Sequence, residues 1–198
     1  MKKNFLFAVY SLILLTIVPV EARDFPVDQQ SSNAGGIISV HGASAQLSSG
    51  TLQVGDNFLD LVKDIDIVFP FEYRVTIVST VPSIDTPVCE LQTNQLANQL
   101  SDHPGIDVVT ISRDLPYAQE RFAKSSSITK IKFVSDYKTG SFGLRTGLMI
   151  KNVQLLARSL VVLDKKGNVR YMQVVPELSH LPDIAKAVTE AVRIDNLK

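Results

Sequence analysis

The chain has 198 residues, 45% of them hydrophobic and 20% charged, with twenty basic residues balancing twenty acidic ones. That length and apolar content suffice for one globular domain with its own core and exclude two large ones. With no net charge and no block of like charge, nucleic acid has no electrostatic footing as a partner.

Lys2 and Lys3 precede a nearly unbroken apolar run from Phe5 through Val20, which closes on Val20-Glu21-Ala22 with small residues at the cleavage positions. A positive start, an apolar middle and a small-residue end make a secretory signal peptide at residues 1–22, so the protein is expected to be secreted or periplasmic. The alternative is a retained anchor, but the run is shorter than the roughly 20 residues a spanning helix prefers, and Pro19 breaks it. Export leads to an oxidising compartment, where disulfides persist. Cys89 is the only cysteine, so no internal disulfide is possible. Composition leaves open a reactive thiol, an intermolecular bond or a small buried hydrophobe.

Residues 23–36 are polar, with Gly35-Gly36 at their end, and read as a flexible arm leading into a domain over 37–198. Ile37–Val40 and Ala45–Leu47 flank His41-Gly42 as a small hairpin, and a loop with Gly50 and Gly55 follows. Strands and helices then alternate. Arg74–Thr80 is a β-branched strand, Pro87–Leu100 a helix, Ile106–Ser112 a strand, and Pro116–Lys124 a short helix opened by proline. Ile131–Val134 is a short strand and Phe142–Arg145 a helical turn. Arg158–Leu163 and Val169–Val175 form a hairpin around Asp164–Asn168, and Leu181–Ile194 is an amphipathic closing helix. This order predicts an α/β fold with a central mixed sheet flanked by helices.

The chemistry concentrates where the strand ending at Thr80 runs into Val81-Pro82-Ser83-Ile84-Asp85-Thr86-Pro87-Val88-Cys89. Thr86 is a natural helix cap, Pro87 suits the first helical position, and Cys89 falls in the first turn. Helix N-termini and nearby cations favour the thiolate, which is the nucleophilic form. Arg158 opens a late strand, an odd place for a cation unless it points at a site, and its rigid donors could steady charge growing on a leaving oxygen. Such a reaction needs the sulfur within reach of solvent and the guanidinium beside it. Glu90 and Gln92 read as exposed helix polars outside the site. Each site residue also has a plainer reading: Cys89 as a buried thiol, Thr86 as only a cap, Arg158 as a surface or ion-pair arginine, Pro82 as a strand terminator. His41, His103 and His180 are scattered, so no metal site is expected and no cofactor is implied.

The string Pro82-x-x-x-Thr86-x-x-Cys89 resembles the peroxiredoxin active-site motif, and VPSIDTPVC is similar to its thiol peroxidase branch. Ser112–Phe122 (SRDLPYAQERF) and Leu155–Asp164 (LLARSLVVLD) resemble further segments of that branch. The resemblance implies a thioredoxin-like fold with an N-terminal β-hairpin, a hydroperoxide substrate, a homodimer and an external thiol reductant, either a thioredoxin-like protein or a low-molecular-weight thiol. It implies that Cys89 is the peroxidatic cysteine, that Thr86 bonds thiolate and peroxide, that Pro82 shields the pocket from water, and that Arg158 activates the sulfur. The chain departs from the branch at Ala123, where a resolving cysteine usually follows the Arg-Phe pair. A redox-sensing or binding module without sustained turnover is therefore the competing expectation.

Overall fold

The computed structural model describes residues 24–197; the signal-peptide reading falls on residues 1–22, outside them. Strand β1 (Val27–Asp28) is followed by a hairpin of β2 (Ile37–Val40) and β3 (Ala43–Gln46). His41 and Gly42 turn it with φ of 51° and 82°, the consecutive positive values that a two-residue hairpin of primed type requires. Next come α1 (Phe58–Val62), β4 (Val75–Thr80), α2 (Pro87–Gln99), β5 (Ile106–Ser112), α3 (Pro116–Ser125) and β6 (Ile131–Ser135). The chain closes with α4 (Ser141–Thr146), β7 (Met149–Ile150), β8 (Leu155–Leu156), β9 (Ser159–Leu163), β10 (Val169–Val174), β11 (Leu181–Pro182) and α5 (Ile184–Asp195).

Five strands form the central sheet in the order β10-β9-β4-β5-β6. The β4–β5 and β5–β6 pairs are parallel, whereas β9 runs antiparallel to both β4 and β10. The sheet is mixed because helices cross over between its parallel strands and a tight turn joins β9 to β10. All of β4 is buried, and its alternation feeds two cores. Val75 and Ile77 pack with Leu96 of α2 and with Ile184, Ala187 and Ala191 of α5. Val78 faces the other way, into a cluster with Phe58 of α1, Phe142 of α4 and Leu148. A third, small cluster surrounds Cys89.

Three readings change. The arm is not loose: β1 pairs with β11, Ser32 N–H donates to the Val174 carbonyl (2.8 Å), and Gln173 Nε2 donates to the carbonyls of Asp28 and Gln30 (2.7 and 2.9 Å). Polar composition did not reveal these partners because they lie about 150 residues downstream. The loop after β3 contains α1, capped by Asn57, whose side chain accepts from Asp60 N–H (3.2 Å). The closing helix begins at Ile184, since Leu181 and Pro182 are spent on β11 and Asp183 caps the helix by accepting from Lys186 N–H (2.9 Å).

Glu177, between β10 and β11, fastens the β2–β3 hairpin to the body by accepting from His41 N–H (3.1 Å), Gly42 N–H (3.2 Å) and Ser39 Oγ. Burial works against its ionisation, but the bonds from Ser39, Ser179 and Gly42 outweigh that and hold the carboxyl down to about 2.

Candidate active site

Sheet register brings the predicted residues together. Thr80 at the end of β4 pairs with Ser159 at the start of β9, so the chain leaving β4 toward Cys89 and the chain arriving through Arg158 meet at one edge. Val81 extends the parallel ladder by donating to the Ile111 carbonyl (3.1 Å), which brings the end of β5 to the same place. Open α/β sheets hold their ligands at this edge, outside the carboxyl ends of the parallel strands.

Arg158 is 1% exposed and donates in three directions: Nε to the Leu178 carbonyl (3.1 Å), Nη1 to Gln92 Oε1 (2.7 Å) and Nη2 to the Cys89 sulfur (3.3 Å). The planar fork spreads its donors over three nitrogens facing three unlike partners, whereas an ammonium would offer all of its donors from a single atom. Among the described residues no carboxylate pairs with this guanidinium. A buried cation without a counter-charge is costly, by several kcal/mol. Of its three partners only the sulfur, once deprotonated, carries negative charge. The geometry therefore sets the guanidinium's one sulfur contact at Cys89, 3.3 Å from Nη2.

Gln92 belongs to the site although the sequence reading left it out as an exposed helix polar. It is fully buried, one turn beyond Cys89 on the same face of α2, and its Nε2 donates to Ser79 Oγ on β4 (2.8 Å). Its amide thus accepts from Arg158 on one side and donates to the sheet on the other, fixing the guanidinium's orientation. The spacing of three from Cys89 was the available signal.

Thr86 stands at the N-cap with extended backbone (φ −133°, ψ 143°), but its hydroxyl does not cap. It donates to the Ser83 carbonyl instead (3.4 Å), while the Thr86 carbonyl accepts from the N–H groups of Cys89 (3.1 Å) and Glu90 (3.0 Å). The expected side-chain cap is therefore absent: the hydroxyl is drawn back toward its own loop. Pro82 is buried, between Val81, which is also buried, and half-exposed Ser83.

Cys89 is 0% exposed, against the expectation of a solvent-reachable sulfur. Val81 and Ile84 pack with it, and Val88, Ala118, Phe122 and Phe133 cover the cluster. Two residues of that cover come from α3, which the first-turn motif alone could not indicate. Ala123, in the family's resolving-cysteine position, lies half-buried in α3 next to Phe122. Asp114, two residues past β5, also escaped notice: Oδ1 accepts from Ser83 Oγ (2.7 Å) and Oδ2 from Ile84 N–H (2.8 Å).

The Redoxin family model matches residues 63–189. The thiol peroxidase of Bacillus subtilis (strain 168) is 36% identical over 159 residues, which cover 78% of this chain and 95% of that protein. The thiol peroxidase of Aquifex aeolicus (strain VF5) is 34% identical over 161 residues, 77% of this chain and 95% of its own. Among solved structures, a peroxiredoxin-like protein from Aquifex aeolicus superposes with a TM-score of 0.72 at 31% identity, over 82% of this chain and 99% of that one. A thiol peroxidase from Chromobacterium violaceum, at 13% identity, shares the fold with a TM-score of 0.66 over 79% of this chain and 95% of its own.

Proposed function

This chain belongs to the Redoxin family, among its thiol peroxidases, and from that premise we propose that Cys89 reduces hydrogen peroxide and organic hydroperoxides at the expense of an external thiol. The carrying observation is the buried Arg158 whose only ionisable hydrogen-bond partner among the described residues is the Cys89 sulfur, 3.3 Å from Nη2. The thiolate attacks the distal peroxide oxygen. An S–O bond forms, the O–O bond breaks, and its electron pair leaves on the second oxygen, which takes a proton and departs as water or an alcohol. Sulfur is oxidised to the sulfenic acid and the peroxide is reduced. The guanidinium, already oriented by Gln92 and Leu178, meets the growing charge without reorganising, the arrangement in which electrostatic stabilisation is largest. Thr86 and Pro82 enter this reading as the family's peroxide-binding and water-shielding positions.

The sulfenic acid is resolved outside the chain, because Cys89 is its only cysteine. One external thiol condenses with it, releasing water and forming a mixed disulfide; a second displaces that disulfide and regenerates Cys89. Purified protein is expected to consume peroxide continuously with a small dithiol, and Cys89→Ser to consume none. Equal rates in the two proteins would remove Cys89 from the role. A single stoichiometric oxidation that no thiol reverses would instead identify a sensor.

Export and dimerisation belong to the same reading. The Lys2-Lys3 start and the apolar run to Val20 support secretion or a periplasmic destination with cleavage after Ala22. The mass of the protein recovered from its host, beginning at Arg23 or at Met1, decides this. Family resemblance, with Leu115 and Tyr117 exposed at the start of α3, supports a homodimer, which light scattering tests.

A further inference from the structure

Peroxide reduction requires a route to a sulfur that has no exposure in this conformation, and the cover over Cys89 is unevenly fixed. Val81 is held by its ladder bond to Ile111, Val88 sits in α2, Ala118 and Phe122 in α3, and Phe133 in β6. Ile84 alone lies in a segment without regular structure, Ser83–Thr86. Two side-chain-mediated bonds tie that segment to a distant part of the chain, and both end on Asp114: from Ser83 Oγ (2.7 Å) and from Ile84 N–H (2.8 Å). The others are internal, from Asp85 N–H to Ser83 Oγ (3.2 Å) and from Thr86 Oγ1 to the Ser83 carbonyl (3.4 Å). A hollow of about 220 Å³ is walled by Ser83, Ile84, Asp114, Ala118, Arg121 and Phe122. Ile84, Ala118 and Phe122 line this hollow and also pack in the cluster around Cys89, so a displacement of Ile84 joins the two.

We propose that Asp114 is a latch: a positioning residue that keeps Ile84 over Cys89, with hydroperoxide reaching the sulfur from the hollow when its two bonds release. Asp114 is the fixed partner of the pair. It lies two residues past β5, and its carbonyl accepts from Ser135 Oγ at the end of β6, so the backbone that carries the carboxylate is held close to two sheet strands. The segment it holds is the movable one. The size of the opening would then discriminate among hydroperoxides, and loosening the latch would favour bulky ones over hydrogen peroxide. The proposal rests on the reading of Cys89 as the peroxide-reducing thiol.

The test uses Asp114→Asn, which keeps the shape but presents one amide donor to two donors, and Ser83→Ala, which removes one bond from a half-exposed residue and leaves the core intact. Alkylation of Cys89 by N-ethylmaleimide and by a bulky pyrene maleimide, read by intact-protein mass spectrometry, needs no peroxide chemistry. Asp114→Asn is expected to raise the alkylation rate about tenfold, and Ser83→Ala by about threefold, with a larger rise for the bulky reagent. The kcat/KM ratio of cumene hydroperoxide to hydrogen peroxide should rise in parallel. A lowered Tm with an unchanged ratio of the two alkylation rates would make Asp114 merely structural and overturn the proposal, as would unchanged rates in both variants. Faster alkylation in the variants, with no peroxide consumed by any of the proteins, keeps the latch and removes the peroxidase reading.

Discussion

Arg158 and Asp136 are both sealed inside this protein, 1% and 2% exposed, yet their surroundings treat the two charges differently. Asp136, just past β6, accepts from the N–H groups of Phe142 (3.1 Å) and Gly143 (3.0 Å) in the first turn of α4. Burial pushes its carboxyl above the usual range, and those two bonds, with Arg113 nearby, pull it only part of the way back. Its bonding is local and complete, so nothing further is needed from a ligand. Arg158 is bonded to a carbonyl, an amide and a sulfur, with no carboxylate beside it among the described residues. The difference separates a buried ion whose bonding closes on neighbouring backbone from one left beside the chain's single thiol.

The largest effect expected from this contrast is at Arg158. Arg158→Lys keeps the charge but loses the three-way fork, and kcat/KM for hydroperoxide should fall about 10² to 10³-fold, the range for removing one preorganised donor of charge stabilisation. Stopped-flow oxidation of Cys89 measures it; a rate within threefold of wild type would break the comparison. Gln92→Ala comes next. It removes the Nη1 acceptor and should cut kcat/KM by roughly tenfold, about 1.4 kcal/mol in the barrier, with KM for the reductant unmoved.

Asp136→Asn should act on stability alone, by about 1–2 kcal/mol in urea unfolding, because one backbone N–H loses its acceptor. Its pH dependence follows from the raised carboxyl. Stability from a group bound more tightly to its proton in the folded state is fully present below the unfolded value, near 4, and is lost as pH rises through the folded value. The gap between wild type and variant should therefore be widest in acid and narrow toward neutral pH. A loss of peroxide turnover larger than the loss of folded protein would place Asp136 in the chemistry after all. Glu177→Gln gives the smallest effect, about 1 kcal/mol, and the opposite sign. With the carboxyl depressed to about 2, its contribution is present above roughly pH 4 and disappears as pH falls toward 2, so the two proteins should converge in strong acid.

The strands and helices that hold the site could be read from the chain because they are long and patterned. Ile106–Ser112 is predicted and found with the same ends, and Pro87 opens α2 as expected of a proline in a first turn. The one-turn helix α1 and the two-residue strands escaped. Residues Phe58–Val62 span little more than one helical turn, and β7 and β8 have two residues each, too few for any period to show. Cys89 and Arg158, which the structure brings into contact, were singled out by type and position, whereas Gln92 was dismissed because a lone polar residue on a helix is usually solvated. Asp114 was overlooked because its partners, Ser83 and Ile84, lie about 30 residues earlier in a loop without pattern.

Sequence alone determined that one thiol stands in the first turn of a helix following a buried strand, that an arginine opens a later strand, and that no second cysteine can close a disulfide. Those are local facts, set by residue type, capping and periodicity. Tertiary structure decided that Thr80 lies against Ser159, which carries the guanidinium to the sulfur, and that side chains from α2, α3 and β6 close over the pair. Pairing register and burial arise between segments tens of residues apart, and no local pattern encodes which of them will touch.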